Sequence, residues 1–288
     1  MAQRIGIAVD STADFPVGMT EQLQLEVIPV HIFVGGEDYL HGVSISNPEV
    51  IDQLKREREI KTAPPFPGEY SAFYEKLASQ YDRIFSFHVS AELSNCYKSA
   101  VNSLRILPEE TVEKIAIIDT RNATIGQALI VKKAVELIRK QGRIDTLEAF
   151  LAPYLKNTFM YFSVDNLYWL KRAGKTGLFS SFLGNVLDIK PIIGLENGRL
   201  VPLTKVRGKV SVIDHLVEYG REAHELARGR HEIWIAHADA VDTALFLQEE
   251  LSSRLGIDSE KIEIVDIGPT ISAHTGPGCL CLAVLPEP

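Results

Sequence analysis

Short apolar runs alternate with helical patterns along almost all of this 288-residue chain. In the first half, residues 4–10, 26–34, 83–89 and 114–119 are predicted strands, and helical patterns separate them. Strands separated by helices are typical of parallel sheets whose faces are covered by those helices. The pattern therefore predicts an α/β fold built from mostly parallel sheets.

The chain length and a second set of such patterns predict two domains, since a typical domain has about 100–200 residues. A helix is predicted at residues 145–156, and new strand patterns begin at Phe159. We place the boundary near Asn157, which gives an N-terminal α/β domain at residues 1–157 and a C-terminal one at residues 158–288.

The dipeptide Asn197-Gly198 lies between two apolar runs, at residues 191–196 and 199–206. Both residue types readily adopt the positive φ angles that a two-residue type I′ turn requires. The sequence therefore predicts one antiparallel hairpin within the second domain.

Composition and charge exclude several classes of protein. Lys and Arg number 30 against 38 Asp and Glu, so the formal net charge is −8, which argues against a nucleic-acid-binding surface. The three cysteines form no CxxC pair, which indicates a reducing compartment and no cysteine zinc site. Because we find no signal-peptide pattern and no apolar run of about 18 residues, we expect a cytoplasmic protein without a membrane span.

The sequence lacks the common motifs for nucleotides, ester hydrolysis and metal binding. Gly174-Lys175-Thr176 is similar to the end of a phosphate loop, but Trp169 occupies the position of its first glycine. No GxSxG elbow and no HExxH pair is present. We therefore expect neither an ATP site nor a metal site, and no cofactor.

Three polar residues lie next to predicted strand or helix ends, where α/β proteins bind ligands. Ser94 stands where a helix is predicted to begin, Thr62 in a proline-rich loop at residues 62–68, and His274 in a glycine-rich loop at residues 268–278. A hydroxyl beside a helix N-terminus suits an anionic oxygen, but a serine there is also a common helix cap. Thr62 is alternatively an exposed turn residue and His274 a structural one, and the sequence leaves these alternatives open.

Two aspartates, Asp10 and Asp14, flank the loop that follows the first predicted strand. Aspartate side chains often bond to nearby backbone N–H groups at the start of a helix. We interpret both as caps of the helix that follows.

Two short basic clusters stand out in this acidic chain, one at residues 171–175 with Arg172 and one at residues 205–209 with Arg207. They are either solvated loop ends that complement helix C-termini, or a docking surface for an acidic or phosphate-carrying partner. The sequence by itself does not decide between these interpretations.

Several of these segments together resemble the DegV family over essentially the whole chain. Residues 7–14 read IAVDSTAD, residues 90–100 read SAELSNCYKSA, and residues 267–278 read IGPTISAHTGPG. Lys61-Thr62 before a Pro/Gly-rich loop and Arg207-Gly208-Lys209 are also similar to the family pattern. Each piece is weak alone, but their order and spacing are specific.

The resemblance implies a two-domain fold of the EDD type with a long-chain fatty acid bound in an apolar tunnel between the domains. It implies that Thr62, Ser94 and His274 hold the carboxyl group. Asn95 and Thr275 are secondary candidates for the same site.

The resemblance also implies a partner protein. In some bacteria the DegV-like protein is the binding subunit of fatty acid kinase, and a separate ATP-binding subunit phosphorylates the acid to an acyl phosphate for phospholipid synthesis. The resemblance implies that Arg172 and Arg207 take part in docking that subunit. The chain itself would then be a non-catalytic lipid-binding subunit.

This chain departs from the family pattern close to the expected head group. Ala63 stands where a serine is usual, and Asn95-Cys96 stand where Gly-Thr is usual. These changes remove hydroxyl groups and a glycine, so we expect the hydrogen bonds around the carboxyl group to differ from those of the family.

Two other functions remain open at this point. The chain is alternatively an enzyme that acts alone, with His274 acting on a small carbonyl or phosphorylated substrate, which needs a small polar pocket. It is also compatible with a lipid sensor that has no kinase partner.

Overall fold

The computed structural model describes residues 3–141, 147–172, 174 and 189–287. Asp145, where the helix before the domain boundary is predicted to begin, and Lys175 of the first basic cluster lie outside these ranges.

Strands and helices alternate through both halves of the described chain. The strands are β1 (Ile5–Asp10), β2 (Leu25–Ile28), β3 (His31–Val34), β4 (Glu37–Leu40), β5 (Ile60–Ala63), β6 (Arg83–His88), β7 (Ile115–Asp119), β8 (Phe159–Ser163), β9 (Ile189–Glu196), β10 (Arg199–Arg207), β11 (His231–His237), β12 (Ile262–Asp266) and β13 (Leu280–Pro286). The helices are α1 (Met19–Leu23), α2 (Asn47–Lys55), α3 (Pro67–Ala78), α4 (Cys96–Ser103), α5 (Glu109–Val112), α6 (Thr124–Gln141), α7 (Leu147–Asn157), α8 (Leu167–Arg172), α9 (Gly208–Leu226), α10 (Val241–Leu255) and α11 (Pro269–Thr275).

The first sheet confirms the prediction of parallel strands. Its order is β2-β1-β6-β7, and all of its neighbouring strands are parallel. Val9 pairs with Val27 on one side and with Phe87 on the other. Because the strands are parallel, their carboxyl ends meet at one edge of the sheet.

A small antiparallel sheet, β4-β3-β5, corrects two of our predictions. We expected residues 26–34 to form one strand, but Pro29 separates β2 from β3, since proline has no N–H for a strand ladder. We also expected Thr62 in an irregular loop, whereas it lies on β5 and pairs with Ile32 of β3. The irregular segment begins only at Pro64.

The second sheet has the order β10-β9-β8-β13-β11-β12 and is mostly antiparallel, which corrects our prediction. Only β11 and β12, which α10 connects, form a parallel pair within the described part of this sheet. Parallel strands need a crossover of about a dozen residues or more across the sheet. The short α11 packs against α2, α8 and β5 instead of crossing the sheet, so β13 starts where β12 ends and runs back.

The predicted hairpin is confirmed. β9 and β10 pair antiparallel around Asn197 and Gly198, whose φ angles are 49° and 82°. The tip of this hairpin reaches the first sheet, because the Ser90 hydroxyl donates a hydrogen bond of 2.7 Å to the carbonyl of Gly198.

The largest cluster of buried apolar side chains joins the two sheets. It contains Val9 and Phe87 of the first sheet, Leu129 of α6, and Trp234 and Ala283 of the second sheet. α6 therefore packs between the sheets, while α3 and α4 cover the outer face of the first sheet and α9 and α10 that of the second. Since this core combines both halves, the boundary at Asn157 stays a prediction.

Candidate ligand-binding site

A cavity of about 310 Å³ lies between the carboxyl edge of the first sheet and the inner face of the second. Thr12, Val89 and Ala123, which follow strands of the first sheet, line one side of it. Phe162 of β8 and Cys281 of β13, which are register partners, line the other. Its volume is at the lower end of the range of roughly 300–1,000 Å³ that small-molecule sites span.

All five residues that we predicted for the ligand site line this cavity, namely Thr62, Ser94, Asn95, His274 and Thr275. Two of them are in direct contact, because Thr62 Oγ1 and His274 Nε2 are hydrogen-bonded at 2.9 Å. They are 212 positions apart in the sequence, and only the packing of α11 against β5 brings them together.

His274 lies in a short helix, which corrects our prediction of a loop. α11 presents Thr270, Ile271, His274 and Thr275 to the cavity, and these positions share one face of a helix. The glycines on either side, Gly268 and Gly276, are the N-cap and C-cap of this helix, and neither lines the cavity. Gly276 has a φ angle of 73°, and a Cβ atom there would lie 2.2 Å from Cδ1 of Trp169. Close packing on Trp169 therefore explains this glycine.

Ser94 lies just before α4, and the N-cap position belongs to Asn95. The Ser94 hydroxyl accepts a hydrogen bond from the backbone N–H of Cys96 at 3.3 Å and donates one to its thiol at 3.2 Å. Burial raises the pKa of Cys96, so its thiol stays neutral. Cys96 thus supplies a local partner for Ser94 at a position where we noted a departure from the family pattern.

The two secondary candidates differ in how available their side chains are. The Thr275 hydroxyl is buried and donates to the carbonyl of Ile271 at 3.1 Å, within α11 itself. Asn95 is exposed at the start of α4. Both side chains line the cavity, but only the Asn95 side chain is also exposed to water.

The rest of the cavity is mainly apolar. Met160 and Phe162 of β8, Leu200 of β10 and Leu170 of α8 contribute side chains, together with Ile271 of α11. A polar end on an otherwise apolar cavity suits a ligand with one polar group and a hydrocarbon body.

A larger cavity of about 540 Å³ lies on the opposite face of β8. Ser163, which follows Phe162, lines this second cavity, and side chains of successive strand residues point to opposite faces. Its lining includes Asp165, Asp239 and Lys190. These charged groups make it unsuited to an apolar ligand.

Neither of the two predicted docking arginines lines the 310 Å³ cavity. Arg172 donates to the carbonyl of Glu57 at 3.2 Å, and its guanidinium lies 6.0 Å from the ring centroid of Trp169. Arg207 is exposed at the end of β10. Their role in docking stays a prediction.

The prediction that Asp10 and Asp14 cap the first helix is wrong, because Gly18 occupies the N-cap position of α1. Both carboxyl groups are buried instead. Asp10 accepts hydrogen bonds from the backbone N–H of Val89 at 2.9 Å and contacts His88 Nδ1 at 3.2 Å. Burial raises the pKa of Asp10, but His88 and the other hydrogen bonds outweigh it, so this pKa lies below its usual value.

Asp14 bridges two segments that border the cavity. It accepts hydrogen bonds from the hydroxyl of Thr124 and, at 2.9 Å, from the backbone N–H of Gly268. Burial raises the pKa of Asp14 to about 7, although both hydrogen bonds lower it. Asp10 ends a buried strand and Asp14 follows it by four residues, which was the available signal for a site at the edge of the sheet. Our capping interpretation missed this signal.

Thr124 is the first residue of α6 and has a φ angle of 45°, which is strained for a β-branched residue. Its N–H donates to the carbonyl of Thr12 at 3.1 Å, and its hydroxyl donates to Asp14. Such strain persists only where the surroundings hold the residue in place, which is common at ligand sites.

In the part of the chain that the structure describes, no helix has the length and apolar character needed to cross a bilayer. Within the same residues, no group of three or more His, Cys, Asp or Glu side chains is arranged to hold a metal ion.

The fold and the cavity define a class of α/β proteins in which two sheets enclose an apolar cavity with one polar end. A family model described as an uncharacterised protein of the DegV family matches residues 4–287. The chain belongs to the DegV family.

Known relatives agree with this assignment. A DegV domain-containing protein of Clostridium acetobutylicum is 31% identical over 286 residues, which cover 98% of this chain and 99% of the relative. A DegV family protein from Thermus thermophilus, whose structure is described as fatty acid binding, has a TM-score of 0.89 and 26% identity, with 99% and 100% of the two chains covered. DegV of Bacillus subtilis, described as a fatty acid binding protein, has a TM-score of 0.84 and 27% identity, with the same coverage.

Proposed function

We propose that this protein binds a long-chain fatty acid in the 310 Å³ cavity, with the carboxyl group at Thr62, Ser94 and His274. The observation that carries the proposal is the hydrogen bond of 2.9 Å between Thr62 Oγ1 and His274 Nε2 at the polar end of an apolar cavity. The fatty-acid-binding descriptions of the relatives from Thermus thermophilus and Bacillus subtilis support it.

The energetics of the two ends support an amphipathic ligand. Burying 14 methylene groups at ~0.8 kcal/mol each gives roughly 11 kcal/mol of gross transfer free energy. Association costs offset a large part of this, on the order of 4–15 kcal/mol. A buried carboxyl group is costly unless it is hydrogen-bonded, and hydroxyls with an imidazole supply such bonds.

Extraction of the purified protein with organic solvent tests this function. We expect mass spectrometry to find fatty acids of roughly C14–C18 in near-stoichiometric amount, because the transfer free energy grows with each buried methylene. A protein that is empty both as purified and after incubation with fatty acids would contradict the proposal.

We further propose that the protein presents its fatty acid to a separate ATP-dependent kinase subunit, which forms the acyl phosphate. The absence of a phosphate-loop motif from the sequence supports this division of roles. Since such a kinase uses ATP, we place the protein in the cytoplasm. The ligand would lie between the proposed domains at residues 1–157 and 158–288, with Thr62 and Ser94 from the first and His274 from the second.

A pull-down from a lysate of the native host, followed by an acyl phosphate assay with ATP, tests the partner. We expect a nucleotide-binding subunit to be retained, and the charge reversals Arg172→Glu and Arg207→Glu to weaken its binding. Arg105→Glu, which reverses the charge of an exposed arginine beyond α4, is the control. Capture of no nucleotide-binding protein would favour a lipid sensor without a kinase.

The geometry does not favour an enzyme that acts alone through His274. Such an enzyme needs a small polar pocket, whereas the walls beyond Thr62 and His274 are mainly apolar, with Met160, Phe162 and Leu200 among them.

A further inference from the structure

The first turn of α11 is held by side chains from separate segments of the first half. Asp14 Oδ1 accepts the hydrogen bond of Gly268 N–H, and the other oxygen of Asp14 accepts that of the Thr124 hydroxyl. His41 Nδ1 and Thr270 Oγ1 are hydrogen-bonded at 2.7 Å. We call Asp14, Thr124 and His41, with their contacts to Gly268 and Thr270, the α11 clamp.

The clamp is closely packed. A Cβ atom on Gly268 would lie 2.6 Å from Asp14 Oδ1 and 2.8 Å from two atoms of the His41 ring. Both side chains therefore press against the same backbone position from the first half of the chain. The strained φ angle of 45° at Thr124 is the conformation in which its hydroxyl reaches Asp14.

α11 needs such anchors because no sheet ladder fixes it. The helix has seven residues, about two turns, and rests on α2, α8 and β5. Thr270, which His41 contacts, and His274 are four positions apart and share one helix face. A shift of the first turn therefore moves His274 relative to Thr62.

We propose that Asp14 is a positioning residue, which is held by the Thr124 hydroxyl and acts through Gly268 at the start of α11 to place His274 at the polar end of the cavity. This inference rests on the proposed function for its consequence, fatty acid binding. The placement of the ring is a property of the lipid-free protein and is measured without a ligand.

Ring signals of His274 in the NMR spectrum of the lipid-free full-length protein test the placement. The signals are assigned from their loss in His274→Gln. We expect Asp14→Ala, which removes both acceptors, to shift these signals. Asp14→Asn keeps one oxygen acceptor and supplies a donor to Thr124, so its signals should stay close to those of the unchanged protein.

Fatty acid affinity gives the second readout, with palmitate as the probe. We expect Asp14→Ala to weaken binding roughly tenfold and Asp14→Asn to recover most of that loss, since a lost hydrogen-bond partner in a buried site has an effect of this order. Ser103→Ala is the matched control, because it deletes a buried hydroxyl that bonds to Ala100 within α4 and does not contact α11.

Thr124→Val removes the hydroxyl with almost no change in shape and tests the same link if Asp14→Ala does not fold. Unchanged His274 signals in Thr124→Val and Asp14→Ala would overturn the proposal, as would equal shifts in Ser103→Ala. If the signals shift as expected but the unchanged protein does not bind palmitate, the positioning role stands and the proposed function fails.

Discussion

The two walls of the cavity are built in different ways. The first sheet contributes the segments that follow its parallel strands, with Thr12, Val89 and Thr124, and behind them the buried carboxyl groups of Asp10 and Asp14. The second sheet contributes side chains from the face of its strands, which are mainly apolar. We call these the loop wall and the sheet wall.

The difference teaches how one chain makes an amphipathic site. Loops at the carboxyl ends of strands have backbone polar groups that no strand ladder pairs. Side-chain hydroxyl and carboxyl groups that can hydrogen-bond to them are therefore found on the loop wall. On the sheet wall the backbone groups are paired along the ladder, and alternation alone decides which side chains face the cavity. His274 of α11, which is hydrogen-bonded to Thr62, joins the two walls at one end.

A charge placed on the sheet wall should have the largest effect on the proposed binding. Leu200→Asp puts a carboxylate beside the acyl chain, and an unpaired buried charge costs about 3–5 kcal/mol, so we expect roughly a 1,000-fold loss of fatty acid affinity. Val201→Asp is the control, because the next residue of β10 points to the other face and does not line the cavity. Equal losses in both variants, measured by displacement of a fluorescent fatty acid, would contradict the distinction between the walls.

The carboxyl group of Asp14 in the loop wall should make stability depend on pH. Its pKa is raised from 3.8 to about 7, so the folded state binds this proton more tightly than the unfolded chain does. The stabilisation is therefore complete below about pH 4 and is lost as the pH rises through 7, with a slope of about 1.4 kcal/mol per pH unit between these values. His41, Asp266 and Cys281 are titratable groups around it.

Chemical unfolding at a series of pH values measures this dependence. We expect the difference in unfolding free energy between the unchanged protein and Asp14→Asn to fall across pH 4–7. A difference that stays constant over this interval would show that Asp14 keeps an ordinary pKa.

The contact of the β9–β10 hairpin with the loop wall should contribute to stability. In Gly198→Ala the new Cβ atom meets Ser90 Oγ at 2.4 Å at a φ angle of 82°, and we expect a loss of about 1–3 kcal/mol. Gly36→Ala is the matched control, since Gly36 has a φ angle of 93° but nothing within 4 Å of the added atom. The loss of unfolding free energy in Gly198→Ala beyond that in Gly36→Ala then measures the contact between the walls. Equal losses in the two variants would mean that the hairpin tip shifts away from Ser90 without cost.

Removal of one hydroxyl from the polar end should have the smallest effect. Thr62→Val preserves the shape of the side chain and removes its hydrogen bond to His274, so we expect fatty acid binding to weaken by about 0.5–1.5 kcal/mol, roughly three- to tenfold. A fatty alcohol of the same chain length should be less sensitive to this change. Thr20→Val, whose exposed hydroxyl contacts only Glu21 among the described hydrogen bonds, should leave affinity unchanged.

Local sequence signals predicted part of the fold well. Asn197-Gly198 predicted its turn because two adjacent residues with positive φ angles are sufficient for it. The parallel order of the first sheet followed from strands separated by helices. The direction of β13 was not predictable in this way, because it depends on α11 packing over the site instead of crossing the sheet.

The sequence analysis predicted the residues of the candidate site but not the residues that hold them in place. Thr62, Ser94 and His274 were chosen from their segments and from the DegV resemblance, and all three line one cavity. Their supports were missed, because Asp14 reaches Gly268 across 254 positions and His41 reaches Thr270 across 229. No local pattern contains contacts of such separation.

The sequence by itself determined the family, the alternation of strands and helices, and the residues with suitable polar groups, because these depend on neighbouring positions or on motif order. Only the tertiary structure decided which groups meet. It placed β13 between β8 and β11, set Thr62 against His274, and buried Asp14 beside Gly268, where the loss of water raises its pKa. The physical reason is that hydrogen bonding and desolvation between distant segments are set by packing, which the order of residues specifies only through the complete fold.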